Sequence, residues 1–240
     1  MEILSIIPVR GGSKRLPKKN LLPLDGVPLV GHTISHSLKS KMINKTVVST
    51  DCKEIMDVVS DYDSVKIIKR PSIISNDDSP SEEAIKHTLE YLRMRNYTPD
   101  IVIFLQATSP IRPPGTIDDA INVFIRKKAD SLLSVTKDHR FIWECDKNIC
   151  KPLNYDYENR PMTQSINNQF VENGSFYLFK PWIIEQNNSR IGGNIELFEM
   201  DYWSSFEIDN LEDLELCEYI LKNMETINLR MSRFNSETTK

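Results

Sequence analysis

The chain has 240 residues, of which 40% are hydrophobic and 27% charged, a composition typical of one soluble globular domain. A formal net charge of −4 argues against a protein whose surface is broadly basic for nucleic-acid binding. No apolar run approaches the ~20 residues of a membrane-spanning helix, and residues 1–9 lack the features of a signal peptide, so we expect a cytoplasmic protein.

Strand and helix patterns alternate over the first 135 residues, which predicts a mostly parallel, three-layer α/β sheet. The helix that begins at Ser81 carries Glu82 and Glu83 in its first turn, where the helix dipole favours negative charge. In chain order, we predict a strand over 2–8, a helix over 29–39, a strand over 45–49, a helix over 53–60, a strand over 65–68, a helix over 81–94, a strand over 101–105, a helix over 116–127 and a strand over 131–135.

The pattern changes after Val135. Residues 137–172 are polar and have no helical period, so we interpret them as a functional excursion from the sheet, such as a hairpin or a small subdomain. Strands over 174–179 and 195–200 and a helix over 211–223 follow, and the polar residues 228–240 resemble a frayed tail. We therefore predict one domain over 1–225, with 137–172 as its excursion, and a polar C-terminal tail over 226–240.

The cysteine and histidine spacings do not predict a metal site. The four cysteines form no C-x-x-C pair, which favours buried free thiols. His32 and His36 are spaced i, i+4 on a predicted helix but lack the H-E-x-x-H pattern. We expect these two histidines to lie on the helix surface or to be partly buried.

The loop after the first strand is rich in glycine and basic residues. Gly11 and Gly12 allow a positive φ and remove Cβ atoms, and successive N–H groups in such a turn can bind an anion. Both a polyphosphate site and a solvated basic turn fit this loop. Its spacing matches neither the P-loop nor the dinucleotide fingerprint. The basic residues in and around the loop are Arg10, Lys14, Arg15, Lys18 and Lys19.

Polar segments follow several of the predicted strands. Ser49-Thr50-Asp51 follows the second strand, Arg70-Pro71 the third, and 106–110 the fourth. Ligands of open parallel sheets bind beyond the carboxyl ends of the strands, so these segments converge with the basic loop on one edge. This convergence favours the polyphosphate interpretation of the loop.

Six ordered segments resemble the acylneuraminate (CMP-sialic acid) cytidylyltransferases, and the resemblance covers about residues 3–222. They are the loop from Arg10 to Asn20, Ser49-Thr50-Asp51, Arg70-Pro71, the segment from Leu105 to Pro110, the segment from Glu172 to Tyr177, and Glu207-Ile208-Asp209.

This resemblance implies a Rossmann-like α/β/α fold of the nucleotide-diphospho-sugar transferase type, with a dimerisation excursion. It implies transfer of CMP from CTP to the anomeric hydroxyl of a nine-carbon α-keto acid sugar, such as N-acylneuraminate or legionaminate, with release of pyrophosphate. It also implies magnesium as cofactor, a homodimer in which 137–172 reaches the second subunit's active site, and no nucleic-acid or membrane partner. Phe141, Trp143 and Phe170 are candidate anchors of the interface or of the local core.

The resemblance also assigns site residues, position by position. The catalytic residues are Arg10, Lys19 and Asp209, and the metal ligands are Glu207 and Asp209. The nucleotide-binding residues are Arg10, Gly11, Gly12, Ser13, Lys14, Asn20, Arg70, Ser79 and Ser81. The sugar-binding residues are Gln106, Thr108, Ser109, Arg160, Gln164, Asn173 and Tyr177.

The chain departs from the family pattern within the excursion. Met162 and Thr163 stand where the family commonly has arginines, and Ser165 where it has an aspartate. Methionine cannot make charge-assisted hydrogen bonds, so the usual acceptor-sugar contacts are in doubt. Arg160 is a candidate replacement; Arg140, Tyr155 and Tyr157 are polar neighbours without an assigned role. A different acceptor, legionaminic or pseudaminic acid, is the other explanation.

Two alternatives stay open for Asp209. Glu207 and Asp209 on one strand would face the same ion, whereas Asp209 or Asn210 could instead cap the helix that begins at Leu211. Three alternatives to the main function also remain: an octulosonate (Kdo) cytidylyltransferase, a non-catalytic CTP-binding homologue, and a glycosyltransferase. The last would need a D-x-D motif after a central strand, and the chain has none there.

Overall fold

The structure is a computed structural model that describes residues 1–147, 149–166 and 168–238, with side chains of the last helix described through residue 230. Its strands are β1 (Ile3–Pro8), β2 (Pro23–Leu24), β3 (Val27–Pro28), β4 (Lys45–Thr50), β5 (Val65–Lys69), β6 (Ile101–Leu105), β7 (Ser131–Lys137), β8 (Trp143–Asp146), β9 (Ile149–Pro152), β10 (Phe170–Phe179) and β11 (Ile195–Glu199). Its helices are α1 (Leu29–Lys39), α2 (Lys53–Val59), α3 (Ser81–Arg93), α4 (Thr116–Arg126), α5 (Pro181–Asn187) and α6 (Leu211–Thr238).

Seven strands form the central sheet in the order β11-β7-β10-β6-β1-β4-β5. Within it, β10 pairs antiparallel with both β6 and β7, and the other pairs are parallel. The interior strand β1 is an almost continuous apolar run because both of its faces are buried. The predicted mostly parallel sheet is confirmed.

Helices cover both faces of this sheet. Ile3 and Ile7 of β1 join a buried cluster with residues of α1, α2 and α4, whereas Leu4 and Ile6 join a second cluster with α3 and α5. This alternation follows from the two-residue period of a strand, which sends successive side chains to opposite faces. The three-layer α/β/α architecture is therefore confirmed.

A third cluster lies beside the sheet and is built around α6. Leu214, Cys217 and Ile220 of this helix are buried against Leu16, in the loop after β1, and Ile208. Cys217 is a buried free thiol, as predicted, and this burial raises the pKa of the thiol to about 12. The cluster joins the end of the chain to the first loop.

The helices differ from the sequence-based expectation at two places. The pattern did not predict α5, a seven-residue helix that begins with Pro181 at a position where proline is favoured. The predicted frayed tail is instead a continuation of α6 through Thr238; residues 239–240 lie outside the described part. No glycine or proline follows Leu211, so extending the helix costs little.

The excursion differs from expectation in its boundary and in its cysteines. Strand β10 begins at Phe170, so Glu172 belongs to the sheet. Strands β8 and β9 form a separate hairpin that pairs Cys145 directly opposite Cys150, and these exposed cysteines form a disulfide. The prediction of buried free thiols is wrong for this pair, because antiparallel pairing brings residues five apart face to face. Among the described helices, none is long and apolar enough to cross a membrane.

The two helical histidines are partly buried, as predicted, and one of them should make stability depend on pH. His32 contacts the Leu24 carbonyl, and His36 lies beside Arg112. Burial, and then the charge of Arg112, lower the pKa of His36 from 6.5 to about 3. Between these values the unfolded chain binds a proton that the folded chain does not, so stability falls as the pH drops from 6.5 towards 3.

Because of His36, the free energy of unfolding should be about 2–3 kcal/mol lower at pH 4.5 than at pH 7. His36→Gln should remove that part of the loss, measured as the free energy of urea unfolding at the two pH values. The same substitution at exposed His139 serves as the control. An equal pH response in wild type and His36→Gln would contradict the assignment.

Candidate active site

A cavity of about 330 Å³ opens at the carboxyl ends of β1 and β6 and collects most of the residues that the motifs predicted. Ligands of open α/β sheets bind at this edge, so the convergence expected from the sequence is present. The predicted residues that line the cavity are Arg10, Gly12, Ser13, Lys19, Asn20, Arg70, Ser79, Ser81, Gln106, Thr108 and Asp209.

The glycine pair shapes the first loop by close approach rather than by unusual backbone angles. Neither Gly11 nor Gly12 has a positive φ, which corrects the sequence-based expectation. A Cβ on Gly11 would lie 2.7 Å from the Cβ of Cys52, so only glycine fits there. The Gly11 N–H donates to Asp51 Oδ1 at 2.9 Å, which ties the loop to the end of β4.

Two carboxylates neutralise the basic loop. Asp77 pairs with Arg10 at 3.1 Å and with Lys14 at 2.8 Å, and its hydrogen bond from Lys14 lowers the pKa of this carboxyl. Asp209 pairs with Lys19 at 2.9 Å and with Arg15 at 3.2 Å; the Lys19 contact lowers the pKa of Asp209. The loop therefore concentrates cations where an anionic ligand would replace or supplement these carboxylates.

Asp77 was missed by the sequence analysis. The signal was the Asp77-Asp78 pair, which lies between Arg70 and Ser79, two residues that the resemblance assigns to the nucleotide.

The opposite wall of the cavity is formed by Arg70, Ser79 and Ser81. Arg70 is buried, and its NH2 group donates to the Ser49 carbonyl at 2.7 Å. Burial lowers the pKa of this guanidinium, with the Asp51 charge acting in the opposite direction. Ser79 donates to Asn76 Oδ1, and Phe104 adds an aromatic surface. This wall offers hydroxyl groups and a ring face to a flat polar ligand.

Gln106 connects the cavity to the Glu207 carboxyl group. Its Nε2 donates to Thr108 Oγ1 at 3.0 Å and to Glu207 Oε2 at 3.1 Å. Burial, and then the charge of Asp209, raise the pKa of Glu207. Gly174 has φ +64, and a Cβ there would lie 1.6 Å from Glu207 Oε1. The carboxyl group thus occupies space that only glycine leaves open.

Neighbouring residues perform two different tasks at the start of α6: Asn210 caps the helix, and Asp209 contacts the cavity. Asn210 Oδ1 accepts the Asp213 N–H at 2.8 Å, and Asp213 Oδ2 accepts the N–H groups of Asp209 and Asn210. This reciprocal pair is a capping box, so Asn210 rather than Asp209 caps the helix. The Asp209 side chain is left to contact Lys19 and the cavity. Residues 206–208 form no strand. Strand geometry therefore does not make Glu207 and Asp209 face the same ion, as the sequence analysis had supposed.

Several predicted sugar-binding residues do not line this cavity. Ser109 is buried, and Asn173 is buried with its amide donating to Thr136 Oγ1 at 3.2 Å. The buried Tyr177 donates to Glu172 Oε2 at 2.7 Å. On the excursion, Arg160 stacks on Phe141 and Gln164 lies in the exposed 3₁₀ turn Thr163–Ser165. Gly11 and Lys14 belong to the basic loop but do not line the cavity, and Glu207 is connected to it through Gln106.

A second, larger cavity of about 620 Å³ lies beside the Glu172–Asn173 end of β10. Lys137, His139 and Arg140 line it, together with Tyr202 and Phe206. Arg140 Nε is held by Asp138 at 2.9 Å, so part of its guanidinium remains exposed. Of these three basic residues, only Arg140 was named as a candidate from the sequence.

The family model described as "Cytidylyltransferase" matches residues 4–227 of the chain. The chain belongs to this cytidylyltransferase family. The resemblance inferred from the six motifs is thereby confirmed at the level of the family.

Curated relatives of this cytidylyltransferase family member cover most of the chain. An N-acylneuraminate cytidylyltransferase A from Danio rerio is 36% identical over 211 residues, which are 86% of this chain and 48% of that protein. A pseudaminic acid cytidylyltransferase from Campylobacter jejuni is 28% identical over 229 residues, covering 92% of this chain and 97% of that protein. The chain thus spans about half the length of the fish relatives and nearly all of the bacterial one.

Solved structures support the fold of this cytidylyltransferase family member. A CMP:2-keto-3-deoxy-manno-octonic acid synthetase complexed with CTP superposes with a TM-score of 0.68 at 17% identity, covering 93% of this chain and 100% of that chain. A 4-diphosphocytidyl-2C-methyl-D-erythritol synthase from Anaerococcus prevotii superposes with a TM-score of 0.66 at 13% identity, covering 92% of this chain and 98% of that chain. Both likenesses concern the Rossmann-like fold alone.

Proposed function

We propose that the protein transfers CMP from CTP to the anomeric hydroxyl of a nine-carbon α-keto acid sugar. The anomeric oxygen forms a bond to the α-phosphorus, the bond from that phosphorus to the bridging oxygen breaks, pyrophosphate leaves, and the hydroxyl proton is released. One observation carries this proposal: residues from distant motifs line a single cavity whose loop concentrates positive charge. The names of the curated relatives support the nonulosonic acid class of acceptor.

In this proposal the basic loop binds the triphosphate. Charge on the phosphate oxygens repels an attacking hydroxyl, and preorganised cations stabilise the charge that moves to the leaving group. Arg10 and Lys19 line the cavity and already hold carboxylates, so they are the groups best placed for this task. Arg70, Ser79 and Ser81 form the wall proposed for the cytidine.

We assign the acceptor sugar to the second cavity, because Asn173 lines it and the neighbouring Gly174 lies against the Gln106 amide. That cavity is large enough for a nine-carbon sugar, and its Lys137, His139 and Arg140 suit the sugar's carboxylate. Met162, which stands where the family commonly has an arginine, is 74% exposed on the excursion. The acceptor side keeps Lys137 and Arg140 as cations although this arginine is missing. This arrangement supports an acid sugar without identifying which one.

Magnesium is the proposed cofactor. Its preference for one or two carboxylates plus phosphate oxygens fits Asp209, which lines the cavity and is 45% exposed at its side chain. Within the described residues no three potential ligands cluster, so a bound triphosphate would have to supply most of the oxygens. The ion would supply charge neutralisation at the phosphates. Lys19 and Arg15 hold the Asp209 carboxylate in place for that role.

Chelation should therefore abolish turnover. Excess EDTA should stop CTP-dependent pyrophosphate release, and added magnesium should restore it. Asp209→Asn should raise the magnesium concentration needed for half-maximal rate at least tenfold, whereas Asp61→Asn, an exposed control, should not. Full activity in EDTA would reject the cofactor.

We further propose a homodimer formed through the excursion. Trp143 is 50% exposed and Ile149 75% exposed on the β8–β9 hairpin, an apolar surface that a second subunit would cover. Phe170, by contrast, packs against the buried cluster of α3 and α5, and Phe141 contacts Tyr155. Light scattering after size-exclusion chromatography would test the dimer, and a monomer at micromolar concentration would reject it.

Since the reaction consumes CTP, the cytoplasm is the proposed location.

The decisive experiment is a coupled pyrophosphate assay with CTP and a panel of sialic, legionaminic, pseudaminic and octulosonic acids. Turnover with a nine-carbon acid and none with the octulosonic acid is expected. Turnover with the octulosonic acid alone would favour the Kdo alternative. CTP binding by calorimetry without turnover on any sugar would favour the non-catalytic homologue and overturn the proposal.

A further inference from the structure

Arg112 is a buried cation that neither the motifs nor the cavity explain. It follows Pro110-Ile111 in the segment that leads to α4, and it is only 5% exposed. No carboxylate of the described residues forms an ion pair with it. Burial lowers the pKa of Arg112 to about 9, so the group still carries its charge at neutral pH. A buried charge without a counter-ion is costly, so its hydrogen bonds must be important.

Those hydrogen bonds go to neutral groups on α1, on β10 and in the loop that follows β6. The NH2 group donates to the Gln106 carbonyl at 2.8 Å and to the Ser175 carbonyl at 2.6 Å. The NH1 group donates to Thr33 Oγ1 at 3.1 Å and lies 3.5 Å from His36 Nδ1. Because the pKa of His36 is about 3, that imidazole is neutral and can accept.

The two carbonyls mark the point where β6 and β10 separate. Phe176 pairs with Leu105 in the antiparallel register, and the Gln106 N–H still donates to the Ser175 carbonyl at 3.2 Å. One residue further, Gly174 takes its positive φ and the Glu207 carboxyl group lies against it. Arg112 thus holds both sides of the gap in which Glu207 meets the Gln106 amide.

We propose that Arg112 is a positioning residue for the acceptor sugar: its guanidinium sets the spacing between Gln106 and the Ser175–Gly174 turn. It is absent from the lining of the main cavity and acts on the site through the Gln106 and Ser175 carbonyls, with Thr33 anchoring the other side of the guanidinium. A planar guanidinium serves two carbonyls and a hydroxyl in fixed directions, which a lysine ammonium cannot reproduce. The inference rests on the proposed function, because it assigns Gln106 to the sugar.

The kinetic test compares Arg112→Lys with Ser134→Ala. Ser134 is a matched buried control. Its Oγ donates to the Phe176 carbonyl and accepts from the Phe176 N–H, one residue after Ser175, and it does not contact the gap. We expect Arg112→Lys to raise the KM for the sugar about tenfold and to leave the KM for CTP within twofold, because it displaces Gln106, a proposed sugar contact, and a misplacement of about 1 Å can cost about 10²-fold. Ser134→Ala should lower Tm without changing the ratio of the two KM values.

A second measurement does not depend on activity. Arg112→Lys should accelerate amide hydrogen exchange at Gln106 at least tenfold, whereas Ser134→Ala should do so at Phe176. If Arg112→Lys fails to fold, Thr33→Val removes the hydroxyl that anchors the other side of the guanidinium and should shift the same two readouts in the same direction. Wild type that turns over no sugar would overturn the proposed function while leaving the exchange test of the gap intact.

The positioning role would be overturned if Arg112→Lys changed both KM values in parallel, or neither, with a Tm loss like that of Ser134→Ala. Unchanged exchange at Gln106 in a folded Arg112→Lys protein would overturn it independently.

Discussion

Arg10→Ala should lower kcat about 10²–10³-fold, which corresponds to ~2.7–4 kcal/mol of lost transition-state stabilisation. Arg10 lines the main cavity and is the first cation of the basic loop. Its NH1 group is oriented by the Asn76 carbonyl at 2.7 Å and by Asp77, so its charge is preorganised before a ligand arrives. Pyrophosphate release at saturating CTP and sugar measures the effect.

Arg10 also connects the loop to residues 76–77, and a second variant separates that contact from the proposed phosphate contact. Asp77→Asn removes the ion pairs with Arg10 and Lys14 but keeps the arginine. We expect it to change kcat less than threefold, because this carboxylate stands where the ligand's charge would lie. An Asp77→Asn loss as large as that of Arg10→Ala would show that loop anchoring, and not charge, is the role of Arg10.

Gly174→Ala should destabilise the protein and reduce turnover at least tenfold. The left-handed backbone at φ +64 costs a residue with a Cβ about 1–2 kcal/mol, which lowers Tm by about 2–8 °C in a protein of this size. The added methyl would also displace the Glu207 carboxyl group, which would then lose its hydrogen bond from Gln106. Thermal unfolding and the pyrophosphate assay measure the two effects.

Gly26→Ala is the matched control, because Gly26 has φ +77 and open space where a Cβ would lie. It should show the backbone cost alone and keep full activity. In a Glu207→Ala background the nearest remaining atom is Gln106 Nε2 at 3.3 Å, so most of the steric part should be removed and the additional Tm loss from Gly174→Ala should fall close to the Gly26→Ala value. Equal Tm losses for the two glycine variants in the wild-type background would contradict a clash with Glu207.

The nucleotide side of the site could be predicted from the sequence because its information is local. The loop from Arg10 to Asn20 follows an apolar strand directly, and parallel topology alone brings Arg70 and Gln106 to the same edge. The motif that ends at Tyr177 was harder to interpret. It lies on β10, the one antiparallel strand of the described sheet, and strand periodicity does not say which face meets a ligand.

The residues that the sequence analysis missed act through long-range packing. Arg112 and Gln106 are six residues apart, but the role of Arg112 depends on Ser175, which no local pattern links to it. The Cys145–Cys150 disulfide depends on the register of a hairpin in a segment without clear periodicity. Helix α5 is short, and its proline start gives a weak signal in sequence. These features required the tertiary arrangement.

Because of the cluster around α6, local unfolding of this helix would disassemble the site. Leu16 of the basic loop and Ile208, next to Asp209, both pack on this one helix, so its undocking would release a cation loop and a carboxylate together. C-terminal helices are often among the less stable cooperative units of a domain. The fraction of molecules with an assembled site would then be set by the docking equilibrium of α6, even while the central sheet remains folded.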